Sequence, residues 1–192
     1  MAAYELPSDQ EIIAGCIRCE RQFQKALYDR FSSKMYSVCM RYAGDSSKAD
    51  DLMQEGFIKV YKNIAKFRGE GSFEGWVRRI FVNACIEQFR KNTTLYAIQE
   101  TDVKGYEYYG DNALEQLKEE DILKMVSELS PGYRTVFNMY VIEGFAHKEI
   151  GEMLDISEGT SKSQLARARY LLQRKITDRA RVNMGNEISD AV

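Results

Sequence analysis

The sequence predicts an all-α protein: two small helical domains joined by a flexible acidic linker. Three observations predict it. Apolar residues recur at threes and fours from Ile12 to Ala84 and again from Leu114 to Ile176, the spacing of one helix face. Between Asn92 and Gly110 that recurrence stops in a polar stretch holding a Tyr/Gly cluster. From His147 to Ile176 two helix patterns are joined by a turn too short to separate domains. A chain of 192 residues, 44% apolar and 29% charged, has the composition of a soluble globular protein and is not disordered throughout.

Ser8 followed by Glu11 is a capping box that opens a short helix with Ile12, Ile13, Cys16 and Ile17 on one side. Phe23, Leu27, Phe31, Met35, Val38 and Tyr42 predict a long second helix ending at Gly44. The third helix is expected to start at a Ser47/Asp50 cap signal and to pack Leu52, Phe57, Val60, Tyr61 and Ile64 inward, leaving Asp50, Asp51, Gln54, Glu55 and Lys59 largely outside. Gly56 within it costs up to about 1 kcal/mol relative to Ala, so it either admits another surface or is a tolerated imperfection.

FRGEGSF, with two glycines and a charge pair, is the strongest loop signal, and Ser72 can cap the fourth helix. That helix buries Phe73, Val77, Ile80, Phe81 and Ala84, while Arg79, Asn83 and Arg90 make a polar, basic stripe at intervals of four and seven. Trp76 falls at the edge of the core face. After the linker, Asp111 can cap a helix with Leu114, Leu117, Ile122, Leu123 and Val126. Ser130 and Pro131 form an N-cap and N1 pair for another through Val136, Phe137, Tyr140 and Val141, stopped by Gly144. The domains are expected at 1–92 and 113–180, with the linker at 93–112 and a frayed tail at 181–192.

The most informative stretch is HKEIGEMLDISEGTSKSQLARARYLLQRKI. Ile150, Met153 and Leu154 share one face. Asp155 tolerates the left-handed conformation of a tight turn, Ile156 plugs it from below, and Ser157 can cap the next helix. Ser161, Leu165, Ala168, Leu172 and Ile176 form the buried stripe of that helix, with Thr160, Ser163, Arg167, Tyr170 and Arg174 pointing away. Between Glu158 and Arg181 stand Lys162, Arg167, Arg169, Arg174, Lys175, Arg179 and Arg181 against Glu158 and Asp178. A short helix, a turn and a longer cationic helix is the helix-turn-helix arrangement, whose second helix enters the major groove of duplex DNA. Thr160, Lys162, Ser163 and Arg167 lie near enough to its N-terminal end to reach base edges, and Arg174 is placed for phosphate.

Net charge is only −2, but it is segregated: the stretch from Leu95 to Glu128 carries nine acids against three lysines. No catalytic triad, Walker loop, paired-carboxylate site or metal cluster is visible, and no enzyme or cofactor is expected. Cys16 and Cys19 read as C-x-x-C, but zinc needs two more ligands, and reduced structural thiols are the expectation for all four cysteines. No run of 18 apolar residues occurs, and the N-terminus has no basic leader or signal-type core, so a cytoplasmic protein without membrane insertion is expected.

ISEGTSKSQLARARYLLQRKI resembles the recognition helix of region 4 in sigma-70-family transcription initiation factors of the extracytoplasmic-function (ECF) group. It departs at Ser161, where the family usually has an aliphatic residue, at Gln164, usually basic, and at Asp155, usually Gly. DDLMQEGFIKVYK resembles the family's region 2.2, and FRGEGSFEGWVRRIFVNACIEQFRK its regions 2.3 and 2.4. The resemblance implies that Asp50, Asp51, Gln54, Glu55 and Phe57 bind core RNA polymerase. It also implies that the loop of Phe67, Arg68, Gly69 and Ser72 captures an unstacked base of the −10 element, with Arg79, Asn83 and Arg90 following the strand. The helix-turn-helix would read the −35 element, and an anti-sigma factor would hold the protein inactive. A stand-alone helix-turn-helix regulator explains the second domain but not the basic stripe beside a Gly-rich loop in the first. A protein-interaction adaptor such as a sigma-factor antagonist explains the acidic face of the third helix but not the cationic rod.

Overall fold

The computed structural model describes residues 6–93 and 119–189, and every regular element among them is helical. The chain divides into two compact units, Met1–Gln88 and Phe89–Val192. The expected linker and the start of the helix expected from Asp111 lie outside the described residues, except that Thr93 closes the fourth helix.

The first unit holds α1 (Asp9–Ile17), α2 (Arg21–Ala43), α3 (Ser46–Asn63), a 3₁₀ turn (Ile64–Lys66) and α4 (Phe73–Thr93) as far as Gln88. The Ser8/Glu11 capping box forms as expected: the Glu11 backbone N–H donates to Ser8 Oγ at 3.3 Å, and Ser8 N–H donates to the Glu11 carboxylate at 2.8 Å. α1 ends at Ile17, and Cys19 turns the chain with φ 59°, so the C-x-x-C straddles the helix end rather than lying within a helix. Gly44, at φ 78°, ends α2, and α3 starts at once. Its cap is Asp45 rather than Ser47 or Asp50, with the carboxylate accepting from the Lys48 N–H at 2.9 Å; the tight exit at Gly44 leaves no residues for a later start.

Leu27, Phe31, Met35, Val38, Val60, Val77 and Phe81 are buried, each worth about 1.5–3 kcal/mol in transfer from water. Aromatic rings organise this core. Phe31 meets Phe73 edge-on at 5.4 Å, and Phe57 meets Phe81 edge-on at 5.1 Å. The Phe81 ring occupies the space a side chain at Gly56 would need: a Cβ there would lie 2.3 Å from its Cε1. Gly56 is therefore no tolerated imperfection; it admits the neighbouring helix.

The second unit holds α5 (Glu119–Ser127), α6 (Pro131–Phe137), a π-helical segment (Asn138–Ile142), α7 (His147–Leu154) and α8 (Glu158–Ser189). Ser130 and Pro131 open α6 as expected. The continuation differs: instead of one α-helix with Tyr140 and Val141 inward, the chain widens into i→i+5 pairing, with Glu143 N–H donating to the Asn138 carbonyl at 3.0 Å. Asn138 and Met139 are thereby buried, and Val141 and Ile142 are 47% and 38% exposed. Met125, Val126 and Leu129 pack with Ala168 and Leu172 of α8. α8 continues as helix beyond residue 180, to Ser189. Arg134, buried, donates to the Ser127 and Leu129 carbonyls at 2.6 and 3.0 Å and so satisfies the C-terminal end of α5.

The Gly56 contact gives a direct check. Gly56→Ala is expected to lower the unfolding free energy by about 1–3 kcal/mol, through crowding of Phe81, in denaturant titrations followed by circular dichroism. Phe81→Leu in the same chain should recover part of that loss; no loss in the single variant would refute the packing account.

Candidate nucleic-acid interface

The helix-turn-helix of α7 and α8 closes through a tight turn. Leu154 ends α7, Asp155 takes φ 58° and ψ 48°, and Ile156 N–H donates to the Gly151 carbonyl at 3.0 Å. A Cβ on Gly151 would lie 2.8 Å from the Ile156 carbonyl oxygen, so the turn fits only because that side chain is absent. Ser157 caps α8, its Oγ accepting from the Thr160 N–H at 2.9 Å and sharing a hydrogen bond with Thr160 Oγ1 at 2.8 Å. Ser161, Leu165, Ala168 and Leu172 are buried, as the stripe requires, and Ile176 packs beside them. Gln164 is buried too, its amide lying against Gly132 of α6. Nothing in the periodicity singles out Gln164, because a polar residue beside the stripe is pulled inward only by the missing side chain at Gly132.

The cations of α8 sort into two groups. Lys175 pairs with Glu128, and Arg179 with Asp121 at 2.8 Å, so these two hold α8 to α5. Lys162 and Arg174 are exposed, and Thr160, Ser163 and Arg167 are partly buried. Lys162 pairs along the helix with Glu158 at 2.6 Å, and that hydrogen bond holds the Glu158 carboxyl below its ordinary pKa. The Arg167 guanidinium lies 5.3 Å from the centre of the Tyr170 ring. Arg169 lies over Tyr140 at 5.8 Å. The predicted −35 residues thus stand together on one helix, with Arg174 further along it.

In the first unit the loop between α3 and α4 is shaped by Gly69 and Gly71, at φ 76° and 83°, both facing open space. Ser72 Oγ accepts from the Gly75 N–H at 3.0 Å and starts α4 as expected. Phe67 rests on Phe73 and Trp76 at 5.3 and 5.5 Å, so Trp76 serves the packing beneath the loop. A cavity of about 590 Å³ opens here, lined by Phe67, Gly69 and Ser72 of the predicted set and by Asp9, Arg30 and Lys34. Arg30 pairs with Asp9 across the rim, and Lys34 with Glu74 at 2.6 Å. Arg68 is exposed but does not line the cavity. Arg79, Asn83 and Arg90 are exposed along α4, also away from it.

On α3, Asp50, Asp51 and Gln54 are exposed. Glu55 is partly buried and pairs with Lys59 at 2.9 Å, and Lys59 pairs in turn with Glu87 of α4 at 2.6 Å. Phe57 does not belong on this face. It is 5% exposed, with its ring 4.8 Å from Tyr28, 6.1 Å from Tyr61 and 5.1 Å from Phe81, so it packs behind α3.

Among the described residues no group of His, Cys, Asp or Glu could hold a metal ion. Cys16 is buried, and burial, with Cys19 nearby, pushes its thiol up to about 11. No described helix is long and apolar enough to cross a membrane.

Residues 27–94 match the family described as Sigma-70 region 2, and residues 112–172 match Sigma-70, region 4. The chain is 30% identical over 164 residues to the ECF RNA polymerase sigma factor SigW of Bacillus subtilis, covering 79% of this chain and 88% of that protein. It is 25% identical over 181 residues to the ECF RNA polymerase sigma-E factor of Haemophilus influenzae, covering 88% and 95%. Among solved structures it aligns with the sigma factor RpoE of Bartonella quintana, determined with the anti-sigma factor NepR, at a TM-score of 0.46 and 22% identity, covering 80% of this chain and 96% of that one.

The left-handed turn is testable without DNA. Asp155→Gly relieves the steric cost of φ 58° and is expected to gain up to about 1 kcal/mol in stability, whereas Asp155→Val should lose at least as much. Thermal melts that rank the three chains in any other order would contradict the turn geometry.

Proposed function

The chain belongs to the ECF group of sigma-70-family factors, which direct promoter-specific initiation by RNA polymerase, and on that premise we propose how this chain divides the work. Region 2, taken as residues 1–92, docks on core RNA polymerase and grips the melted −10 element. Region 4, taken as residues 113–180, reads the −35 duplex, and residues 93–112 tether the two. The observation that carries this reading is the outward face of α8, where cations and hydroxyls stand beside a closed helix-turn-helix.

Thr160, Lys162, Ser163 and Arg167 are the proposed contacts to base edges or their immediate flanks, and Arg174 a phosphate contact. In region 2 the proposed base pocket is formed by Phe67, Arg68, Gly69 and Ser72. The aromatic floor and the cavity beneath the loop support Phe67, Gly69 and Ser72 in that assignment, since extruding a base costs a few kcal/mol that stacking must return. Arg79, Asn83 and Arg90 are proposed to follow the single strand. Asp50, Asp51, Gln54 and Glu55 are proposed to meet the polymerase, with Phe57 fixing the helix that presents them. The protein is taken to act in the cytoplasm, without catalysis of its own, and under the control of an anti-sigma factor covering the polymerase- and DNA-binding faces.

In vitro transcription with core polymerase on a genomic library tests the whole reading. Initiation at specific promoters is expected; DNA binding without initiation would assign the chain to stand-alone regulators. Charge reversal at Asp51 and Glu55 should weaken binding to core enzyme without loss of folding, and an unchanged pull-down would remove that face from the interface. Asn83→Ala should slow open-complex formation, read by permanganate, and leave duplex binding intact. Arg167→Ala should cost about 1–3 kcal/mol on the cognate site and relax one position, while Arg174→Ala should weaken all duplexes alike and lower the salt slope by about one.

A further inference from the structure

His147 is the single histidine of the chain and the first residue of α7, partly buried. Its ring stacks on Tyr140, with centroids 4.3 Å apart and planes 21° apart, and its Nδ1 lies 2.9 Å from Ser161 Oγ. Ser161 is itself fully buried. The ring therefore cannot turn without losing both the stack and the hydrogen bond. Of the two arrangements this contact allows, the one in which the Ser161 hydroxyl donates to Nδ1 places the ring proton on Nε2. Among the described residues Nε2 has no protein partner, and in that tautomer the partly buried ring offers an N–H donor held in one orientation by the stack.

The surroundings are cationic. On α7 the next residue, Lys148, is exposed, and the carboxylate of Glu149 is occupied in accepting from the Ala146 N–H at 2.7 Å. On α8 Lys162 is tied to Glu158, and Arg169 lies over the other partner of the histidine, Tyr140 of the π segment. Burial, followed by the charges of Lys162 and Arg169, holds the imidazole below its ordinary pKa, with Glu158 opposing them. A helix-turn-helix brings its first helix across the DNA backbone, so α7 is the element of the motif to which a phosphate ligand belongs.

We propose that His147 is a ligand for the DNA backbone: Nε2–H donates to a phosphate oxygen of the upstream duplex, and Lys148, Lys162 and Arg169 complete an anion grip beside the base-reading face. This rests on the reading of α7 and α8 as the duplex-binding element. Ser161 is the positioning residue of that contact. Its hydroxyl stands where the family usually has an aliphatic side chain, and it fixes which nitrogen carries the proton. A bound phosphate favours the imidazolium, so affinity for DNA should rise as pH falls, and the lone histidine makes that dependence assignable.

A phosphate contact is independent of sequence, so the test uses the full-length protein and a random-sequence duplex between pH 5.5 and 7.0. The Cε1 proton resonance of His147 gives its titration midpoint directly, and duplex is expected to raise that midpoint by about one pH unit. Affinity should then increase up to about tenfold across the window, and the salt slope should be steeper by nearly one charge at the acid end. His147→Gln, which keeps a neutral donor, should bind within about twofold of wild type at pH 7.0 and lose the pH dependence. His147→Leu should bind severalfold more weakly at both ends of the window. Ring ¹⁵N shifts should show the Nε2–H tautomer in the wild type and a mixture in Ser161→Ala.

A midpoint unmoved by duplex, or pH dependence that persists in His147→Gln, overturns the phosphate contact while Arg174→Ala still weakens binding. A wild type that already shows mixed tautomers removes the role of Ser161. If Arg174→Ala and His147→Leu both bind as wild type does, the duplex-binding reading fails and this contact with it.

Discussion

Two missing side chains set how closely the helices of this protein approach. At Gly56 the space beside α3 is taken by the Phe81 ring, and at Gly151 the space beside α7 is taken by the Ile156 carbonyl. Interiors are packed as densely as organic crystals, so one methyl at either place must displace an aromatic ring or a backbone turn. In the first unit that close approach lets Phe57 reach Phe81 and fixes the helix bearing Asp50, Asp51 and Gln54. In the second it sets the angle at which α8 leaves α7, and with it the direction of every residue on the outward face.

The second organising feature is the use of charge. A cationic rod is needed to approach DNA, but not every cation on α8 is available. Lys175 and Arg179 are turned back towards α5, whereas Lys162, Arg169 and Arg174 are exposed along α8 and Arg167 is partly buried. Exposed ion pairs contribute about 0–1 kcal/mol each, so the clasp to α5 depends chiefly on Met125, Val126 and Leu129 packing against Ala168 and Leu172. Added salt consequently acts on DNA binding far more than on the fold.

Helix positions and the helix-turn-helix were legible because both rest on local rules: the capping box at Ser8, the left-handed exit at Gly44 and the turn at Asp155 each depend on residues a few positions apart. What escaped depends on partners distant in sequence or on competing local choices. Phe57 could be placed beside a surface motif, but its burial is decided by Tyr28 and Phe81. Asp45 and Ser47 both make acceptable caps, and only the tightness of the turn after Gly44 selects the first. The inward turn of Gln164 follows from Gly132, and the tether of Glu55 from Glu87 acting through Lys59. The family resemblance supplied the candidate surfaces, while the cavity under Phe67 needed α1 and α2 to supply its far wall.

The π-helical segment has a further consequence when it is seen as an insertion. A π turn holds one residue more than an α turn, so Asn138–Ile142 is what a regular helix becomes when a single residue is added without lengthening the span it must cover. That extra residue sets the phase at which Tyr140 stands beneath His147 and Arg169. Removing it would restore an ordinary helix and turn Tyr140 by about 100° away from both. A change of one residue in length can therefore dismantle the surface at the start of α7 with every side chain on α8 unaltered.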